Sequence, residues 1–366
     1  MTLKINKGSI LVYRIFDIAE EVDLKKAASL LQDARLADPF RVPKYIDRGI
    51  VLKTRPLAFA LPNTNVKTKT KNLSCQVLGK IRDFGVLSLT YEITINAGTG
   101  WKELIDIASE LEEGSEIDLI AKDKVRELSQ LLSPALKKPL QEWDIFEDYI
   151  IYFMQEFEGG LSAQNLVKSA DVPELLLAEN ETKISQITRQ SILENVYQYG
   201  EDDLAFIEWN SALVVEPKGG REVPDILEFA LTHLLEMRFY DELLDKRLTS
   251  LYDEIEATKG RSLRGRYYQL YQEASTRFIE FSEFIERVEN SLKVVGDFYL
   301  ATVFRAANRK FRLADWQKEV TRKMGLLAQV SSLLQGEINA RRSHWLEFII
   351  ILLIAFEIIS ALLKIY

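Results

Sequence analysis

The end of the chain constrains its fold more than any other stretch. Trp345 to Leu363 reads WLEFIIILLIAFEIISALL, with an unbroken apolar run from Phe348 to Phe356 that resumes after Glu357. About nineteen residues at a rise of 1.5 Å per residue approach the roughly 30 Å hydrocarbon thickness of a bilayer, so one spanning helix fits. Thirteen Leu, Ile and Phe side chains, at roughly −0.3 to −0.6 kcal/mol each, outweigh one central acid at about +3 kcal/mol. Trp345 and Tyr366 stand where interfacial aromatics belong, and Arg341 and Arg342 precede the run as a juxtamembrane basic pair. By the positive-inside rule that pair keeps the large N-terminal part on the cytoplasmic side. The expected anchor is marked by Trp345, Glu347, Phe348, Phe356, Glu357 and Leu363. The competing reading is an apolar helix buried in a soluble oligomer, for which Glu347 and Glu357 speak.

The rest is ordinary globular composition: 366 residues, 47% hydrophobic and 28% charged, enough for two or three domains. A net charge of −8 supplies no general attraction to nucleic acid or anionic lipid, so such contacts need a local basic patch. The single cysteine, Cys75, excludes an intrachain disulfide and a multi-cysteine zinc site. MTLKINKGSILVYRIF has neither the apolar core of a signal peptide nor the Arg-rich pattern of a transit peptide.

Ser9 to Phe16 is rich in β-formers, and Leu24, Ala27, Ala28 and Leu31 then recur at helical spacing. Ile50 to Leu52 and Leu57 to Leu61 are short strand candidates, and Pro62, Asn63 and Asn65 mark a turn. Lys67, Lys69 and Lys71 alternate with Val66, Thr68 and Thr70, a pattern read as protection of a sheet edge. In RDFGVLSLTYEITI, Leu87, Leu89, Tyr91, Ile93 and Ile95 alternate with Ser88, Thr90, Glu92 and Thr94, which places an apolar set on one sheet face and a polar set on the other. Gly85 signals a bulge or a close backbone approach. Helical stripes follow from Trp101 to Gly114 and from Ile117 to Ser133-Pro134, then a strand over Tyr149 to Phe157, a helix over Ile184 to Tyr199 and a hairpin over Leu204 to Val215. The order of elements is compatible with two ferredoxin-like halves, although the halves share too little sequence to establish a duplication.

Beyond Glu222 the pattern turns helical. Val223, Ile226, Ala230, Leu234, Met237, Leu244, Leu248, Leu251 and Ile255 form one apolar face that stops near Gly260. Tyr267 to Tyr299 and Val320 to Ile338 step by 4 and 3, the rhythm of a heptad seam, with Ser331 as a polar interruption. The basic stretch from Arg305 to Arg312 is read as the turn between them. Three long helices with short connections fold antiparallel.

No nucleophile, base and orienting acid can be assembled. The two histidines, His233 inside a helix and His344 beside the apolar run, lack metal-ligand spacing partners, and phosphate-binding glycine loops are absent. Arg305, Arg309, Lys310 and Arg312 form the one basic cluster suited to RNA or an acidic partner, against the simpler reading of a solvated surface.

The residues NSLKVVGDFYLATVFRAANRKFRLADWQKEVTRKM, followed by RRSHWLEFIIILLIAFEII, resemble the C-terminal part of the "required for meiotic nuclear division" family, and RDFGVLSLTYEI is similar to its glycine-containing strand motif. The resemblance implies a membrane-associated, oligomeric protein without catalytic residues, with two acids in the terminal helix. Mitochondrial members support organellar translation, whereas this chain shows no transit peptide, so a bacterial-type inner membrane is the expected location.

The fold class expected is thus an α+β N-terminal domain over residues 1–220, a stalk of long antiparallel helices in a coiled coil over 221–343, and a C-terminal apolar transmembrane anchor over 344–366. The function expected is a membrane-tethered, oligomeric scaffold or interaction protein that is not an enzyme, takes no cofactor, metal or small-molecule substrate, and pairs with further copies of itself. An RNA- or ribosome-associated factor acting at a membrane is the alternative.

Overall fold

The computed structural model describes residues 3–31, 35–36, 55–140, 145–180, 182–258 and 298–363, with separate helical positions between 268 and 282. The candidate strand over Ile50 to Leu52 and most of the seam from Tyr267 to Tyr299 lie outside the described residues. The chain divides into two compact units, Met1–Arg238 with Asn290–Ala314, and Phe239–Glu289 with Asp315–Tyr366.

The first unit is built on strand β1 (Lys4–Asp17), buried at every position from Gly8 onward. Neighbours flank it on both sides, β6 (Val86–Ile95) and β9 (Phe146–Phe157), each antiparallel and in nearly full register. The sheet continues past β6 through β5 (Asn72–Ile81) and β4 (Leu57–Lys67) to β3 (Arg35–Leu36). Past β9 it continues through β12 (Ser211–Val215) and β11 (Leu204–Ile207) to β10 (Val196–Tyr197). A short β7 (Thr99–Gly100) also pairs with β1, and β12–β9 is the parallel pair in an otherwise antiparallel sheet. A small second sheet joins β2 (Ala19–Val22) to β8 (Leu136–Pro139). Beside it, the large sheet joins strands from both stretches read as two ferredoxin-like halves, β1, β4, β5 and β6 with β9 to β12.

Because side chains alternate across a strand, the register sorts the sheet into two faces. One carries Ile10, Val12, Phe16, Leu87, Leu89, Tyr91, Ile150 and Tyr152 in a common core with helices α2 (Trp101–Glu113) and α3 (Glu116–Leu132). Small helices α1 (Leu24–Leu30), α4 (Ala163–Ser169), α5 (Val172–Leu176) and α6 (Gln186–Leu193) complete the chain up to β10. The other face carries Leu11, Tyr13, Ile15, Ser88, Thr90, Tyr149 and Phe153, and it is buried as well. Covering it are the first part of α7 (Glu222–Thr258) and α8 (Phe298–Lys310): Arg221, just before α7, stacks on Phe153 at 4.3 Å, and Phe311, just after α8, meets Tyr149 edge-on at 5.5 Å. Of the polar set read as one face of an alternating strand, Ser88 and Thr90 thus lie buried beneath helices, Glu92 is half-buried and Thr94 is exposed.

This cover explains two departures from the sequence reading. The first unit extends to Arg238 where a boundary at 220 was expected, because residues 226–237 of α7 are buried without a break. The stretch read as a turn from Arg305 to Arg312 is mostly the end of α8, whose buried residues are Leu300, Val303, Phe304, Ala306 and Ala307, and the turn is confined to Phe311–Arg312. Arg312 adopts a left-handed φ of 53° there, a common way to end a helix.

Local signals are resolved in detail. Gly85 closes the β5–β6 turn at φ +96°, and a Cβ on it would lie 1.6 Å from the Ala19 carbonyl oxygen, so the close approach is what the glycine permits. Pro62 and Asn63 produce a bulge in β4 between Leu61 and Thr64 in place of a turn. Lys69 and Lys71 sit at the β4–β5 turn and pair with Glu113 and Glu103 of α2, each at 2.5 Å, so they fasten a hairpin to a helix and do not guard an edge.

In the second unit, Leu244, Leu248 and Leu251 of α7 are buried, as are Val320, Met324, Leu327, Val330 and Leu334 of helix α9 (Leu313–Leu363). Lys323 bonds Asp241 at 2.7 Å and Asp245 at 2.5 Å, and the Ser331 hydroxyl, a polar interruption in the seam, lies 2.9 Å from that of Ser275.

Candidate functional site

An ordinary surface helix buries one stripe. Residues 226–237 of α7 are buried on all sides, so the polar residues they carry, Glu228, Thr232, His233 and Glu236, are inside the protein. Beneath them the strand register sets Lys80, Ser88 and Glu147 in one row, with Ile15 between Ser88 and Glu147. The helix answers this row at both ends. Lys80 donates to Glu228 at 2.5 Å and to Asp225 at 2.7 Å, and Arg238 donates to Glu147 at 2.6 Å. Arg221 adds a contact of 2.5 Å to Glu92. Arg82, at the end of β5, places its guanidinium 5.0 Å from the Phe229 ring, and His233 meets the same ring edge-on at 4.4 Å.

Burial and pairing compete within this layer. Burial raises the Glu228 carboxyl, but Lys80 and Arg82 pull it below the usual range. At Asp225 burial outweighs Lys80 and the pKa rises. Burial pushes Lys80 down, yet Glu228 and Asp225 carry it above its ordinary value. His233, expected as a partly buried helix residue, is 2% exposed; burial first and Arg82 second lower its pKa to about 3, so it is neutral. Burial raises Glu147 to about 7 in spite of Arg238, and it raises Asp17, at the end of β1, well above the carboxylate range.

Oε1 of Glu228 and both ring nitrogens of His233 have no hydrogen-bond partner among the described residues. Lys80 with Asp225 and Glu228, Arg238 with Glu147, and Arg221 with Glu92 form ion pairs between the sheet and the α7 segment, an arrangement that pins α7 in one register on β5, β6 and β9. Among the described residues no three His, Cys, Asp or Glu side chains converge on a metal position. None of these sheet–helix pairs was anticipated from sequence; the detectable signal was a glutamate, a histidine and a second glutamate interrupting an otherwise apolar helical stretch.

Every residue marked for the anchor lies on α9. Burial within the second unit ends at Leu334, with Ile338 half-buried, and the helix continues to Leu363. From Trp345 to Ile359 the large apolar side chains are 45–69% exposed. This helix is long and apolar enough to span a membrane. Arg341 lies on the same helix and Arg342 is exposed, one turn before the apolar run. His344 Nδ1 lies 3.5 Å from Glu347 at the start of the run, Trp345 stacks edge-on against Phe348, and Phe356 and Glu357 are exposed farther along.

The basic cluster is divided in its roles. Lys310 is committed to Glu208 at 2.6 Å, Arg309 reaches the Tyr197 hydroxyl at 3.4 Å, and Arg305 donates to Thr302 of its own helix at 3.1 Å. Arg309 and Lys310 occupy the last turn of α8, where cations favour the carbonyl end of the helix dipole. Arg305, Arg309 and Arg312 are nevertheless exposed.

Compared with known proteins, residues 7–222 match the family described as "Uncharacterized protein MJ0711, N-terminal domain". The uncharacterized protein MJ0711 of Methanocaldococcus jannaschii is 22% identical over 234 residues, 60% of this chain and 67% of that protein. No solved structure matches. These findings overturn the resemblance to the "required for meiotic nuclear division" family, to which nothing links the chain. The longest segments that suggested it lie beyond residue 222, in heptad-like and apolar patterns that unrelated helical chains share, and the glycine in RDFG is explained by the Gly85–Ala19 approach.

Proposed function

The chain belongs to the family of the MJ0711 N-terminal domain, and for this member we propose a membrane-tethered scaffold or interaction protein without catalytic activity. The observation that carries the reading is where cover stops on α9. Inside the second unit the helix buries a seam as far as Leu334. It then exposes Asn339, Arg342 and His344, and after them a segment that is apolar apart from Glu347 and Glu357. A soluble helix would leave those side chains in water at a cost of about 25 cal/mol per Å², whereas a bilayer receives them, with Arg342 at the cytoplasmic interface and Trp345 at the headgroup level. The non-catalytic part rests on the sheet layer, whose charges are used to hold α7 in place. Removing residues 344–366 is expected to shift the protein from the membrane fraction to the soluble fraction; a truncated chain that still sediments with membranes would overturn the anchor.

The second reading, an RNA- or ribosome-associated factor at a membrane, draws on the exposure of Arg305, Arg309 and Arg312 on and just after α8.

A further inference from the structure

We propose that Glu357 pairs the terminal helix with that of a second copy of this chain inside the membrane. The inference rests on the membrane reading above. Glu357 lies nine residues into the apolar run that starts at Phe348, is exposed, and has no hydrogen-bond or ion-pair partner among the described residues. Hydrocarbon offers a carboxyl no hydrogen bond, so a residue at this depth is accommodated by another polar group within the membrane.

The helix itself indicates which face meets the partner. Leu346, Ile350, Leu353, Glu357 and Ser360 step by 4, 3, 4 and 3, a heptad seam with one polar core position and a hydroxyl half a heptad beyond it. This seam differs from the one buried within the chain: Val320, Met324, Leu327 and Leu334, carried forward at the same rhythm, reach Trp345, Phe348, Leu352, Ala355 and Ile359 on the other side of the helix. A second copy is the occupant that fits. With one span and one charge bias per chain, all copies insert in the same direction, so side-by-side helices are parallel and equal residues meet at equal depth. Each Glu357 then faces the other across the pair, with the Ser360 hydroxyls as donors to the carboxyl oxygens. A single buried polar position of this kind fixes register and partner number.

The test is disulfide cross-linking of the full chain in native membranes, in a Cys75→Ser background, followed by alkaline carbonate washing of the same samples. Leu353→Cys, on the seam, is expected to form a dimer on oxidation, and Ile359→Cys, on the opposite side, is not. Adding Glu357→Leu should reduce the Leu353→Cys dimer several-fold, while Glu357→Gln, which keeps hydrogen bonding, should retain it. Carbonate-resistant protein that cross-links equally at both positions, or equally with Glu357→Leu, would overturn the pairing and leave the anchor standing. Protein washed out by carbonate would overturn the anchor and the pairing together.

Discussion

Lys80 on the sheet and Glu228 on helix α7 meet at 2.5 Å, with Glu228 wholly buried and Asp225 sharing the same ammonium at 2.7 Å. Removing one member of a buried pair leaves the other charge uncompensated, which costs about 3–5 kcal/mol, whereas replacing both with apolar residues of similar volume is often neutral. Lys80→Met is therefore expected to lower the unfolding free energy by about that amount, and Lys80→Met with Glu228→Leu to recover part of it, since Asp225 still lacks its partner. Denaturant titration of the three proteins measures the difference.

Two buried groups in the same layer titrate with opposite signs. His233 falls from 6.5 to about 3 on folding, so its contribution is complete above pH 6.5 and is lost as pH falls toward 3, at roughly 1.4 kcal/mol per unit. Glu147 rises from 4.5 to about 7, so its contribution is complete below pH 4.5 and is lost as pH rises through 7. His233→Gln should flatten the acid side of the stability profile and Glu147→Gln the side between pH 4.5 and 7. Thermal unfolding across pH 3.5–8 checks both.

At the β5–β6 turn, Gly85→Ala would force a side chain into a left-handed backbone and within 1.6 Å of the Ala19 oxygen. Gly98 has a similar φ of +89°, with nothing within 4 Å of its added Cβ. Conformational strain alone costs on the order of 1 kcal/mol, so Gly98→Ala should lower stability by about that much and Gly85→Ala by several times more. Equal losses would mean that the Ala19 contact has no energetic weight.

Elements with a strong local period were legible in the sequence: the alternation from Leu87 to Ile95, the stripes beginning at Trp101 and Ile117, the hairpin after Leu204, and the apolar run after Trp345. What covers them was not. Ser88, Thr90 and Glu92 have the same alternation whether their face meets water or α7, and the choice depends on contacts with residues more than a hundred positions away. Lys80, Glu147 and Glu228 become neighbours only through strand register, which no short window contains. Helix α8 was concealed because Arg305, Arg309 and Lys310 are interleaved with Val303, Phe304 and Ala307, and the charges made the more visible pattern.

The basic cluster separates into pieces with different expected behaviour. Glu substitution of Arg305 and Arg309 changes exposed side chains and should leave stability within about 0.5 kcal/mol. Lys310→Glu breaks the 2.6 Å pair with Glu208 and should cost more. If RNA or ribosomes are partners, reversing Arg305, Arg309 and Arg312 together should abolish co-sedimentation with ribosomes while the protein remains folded. Unchanged co-sedimentation, or none by the parent protein, would remove that reading.

Alkaline carbonate extraction of membranes containing the full chain tests the central claim most directly, because it strips proteins held by charge or by soluble partners and leaves those whose helices cross the bilayer. Anchoring through Trp345 to Leu363 predicts that the intact protein stays in the membrane pellet. Release of the intact protein into the supernatant would contradict it and would make the exposed terminal helix a contact between soluble copies.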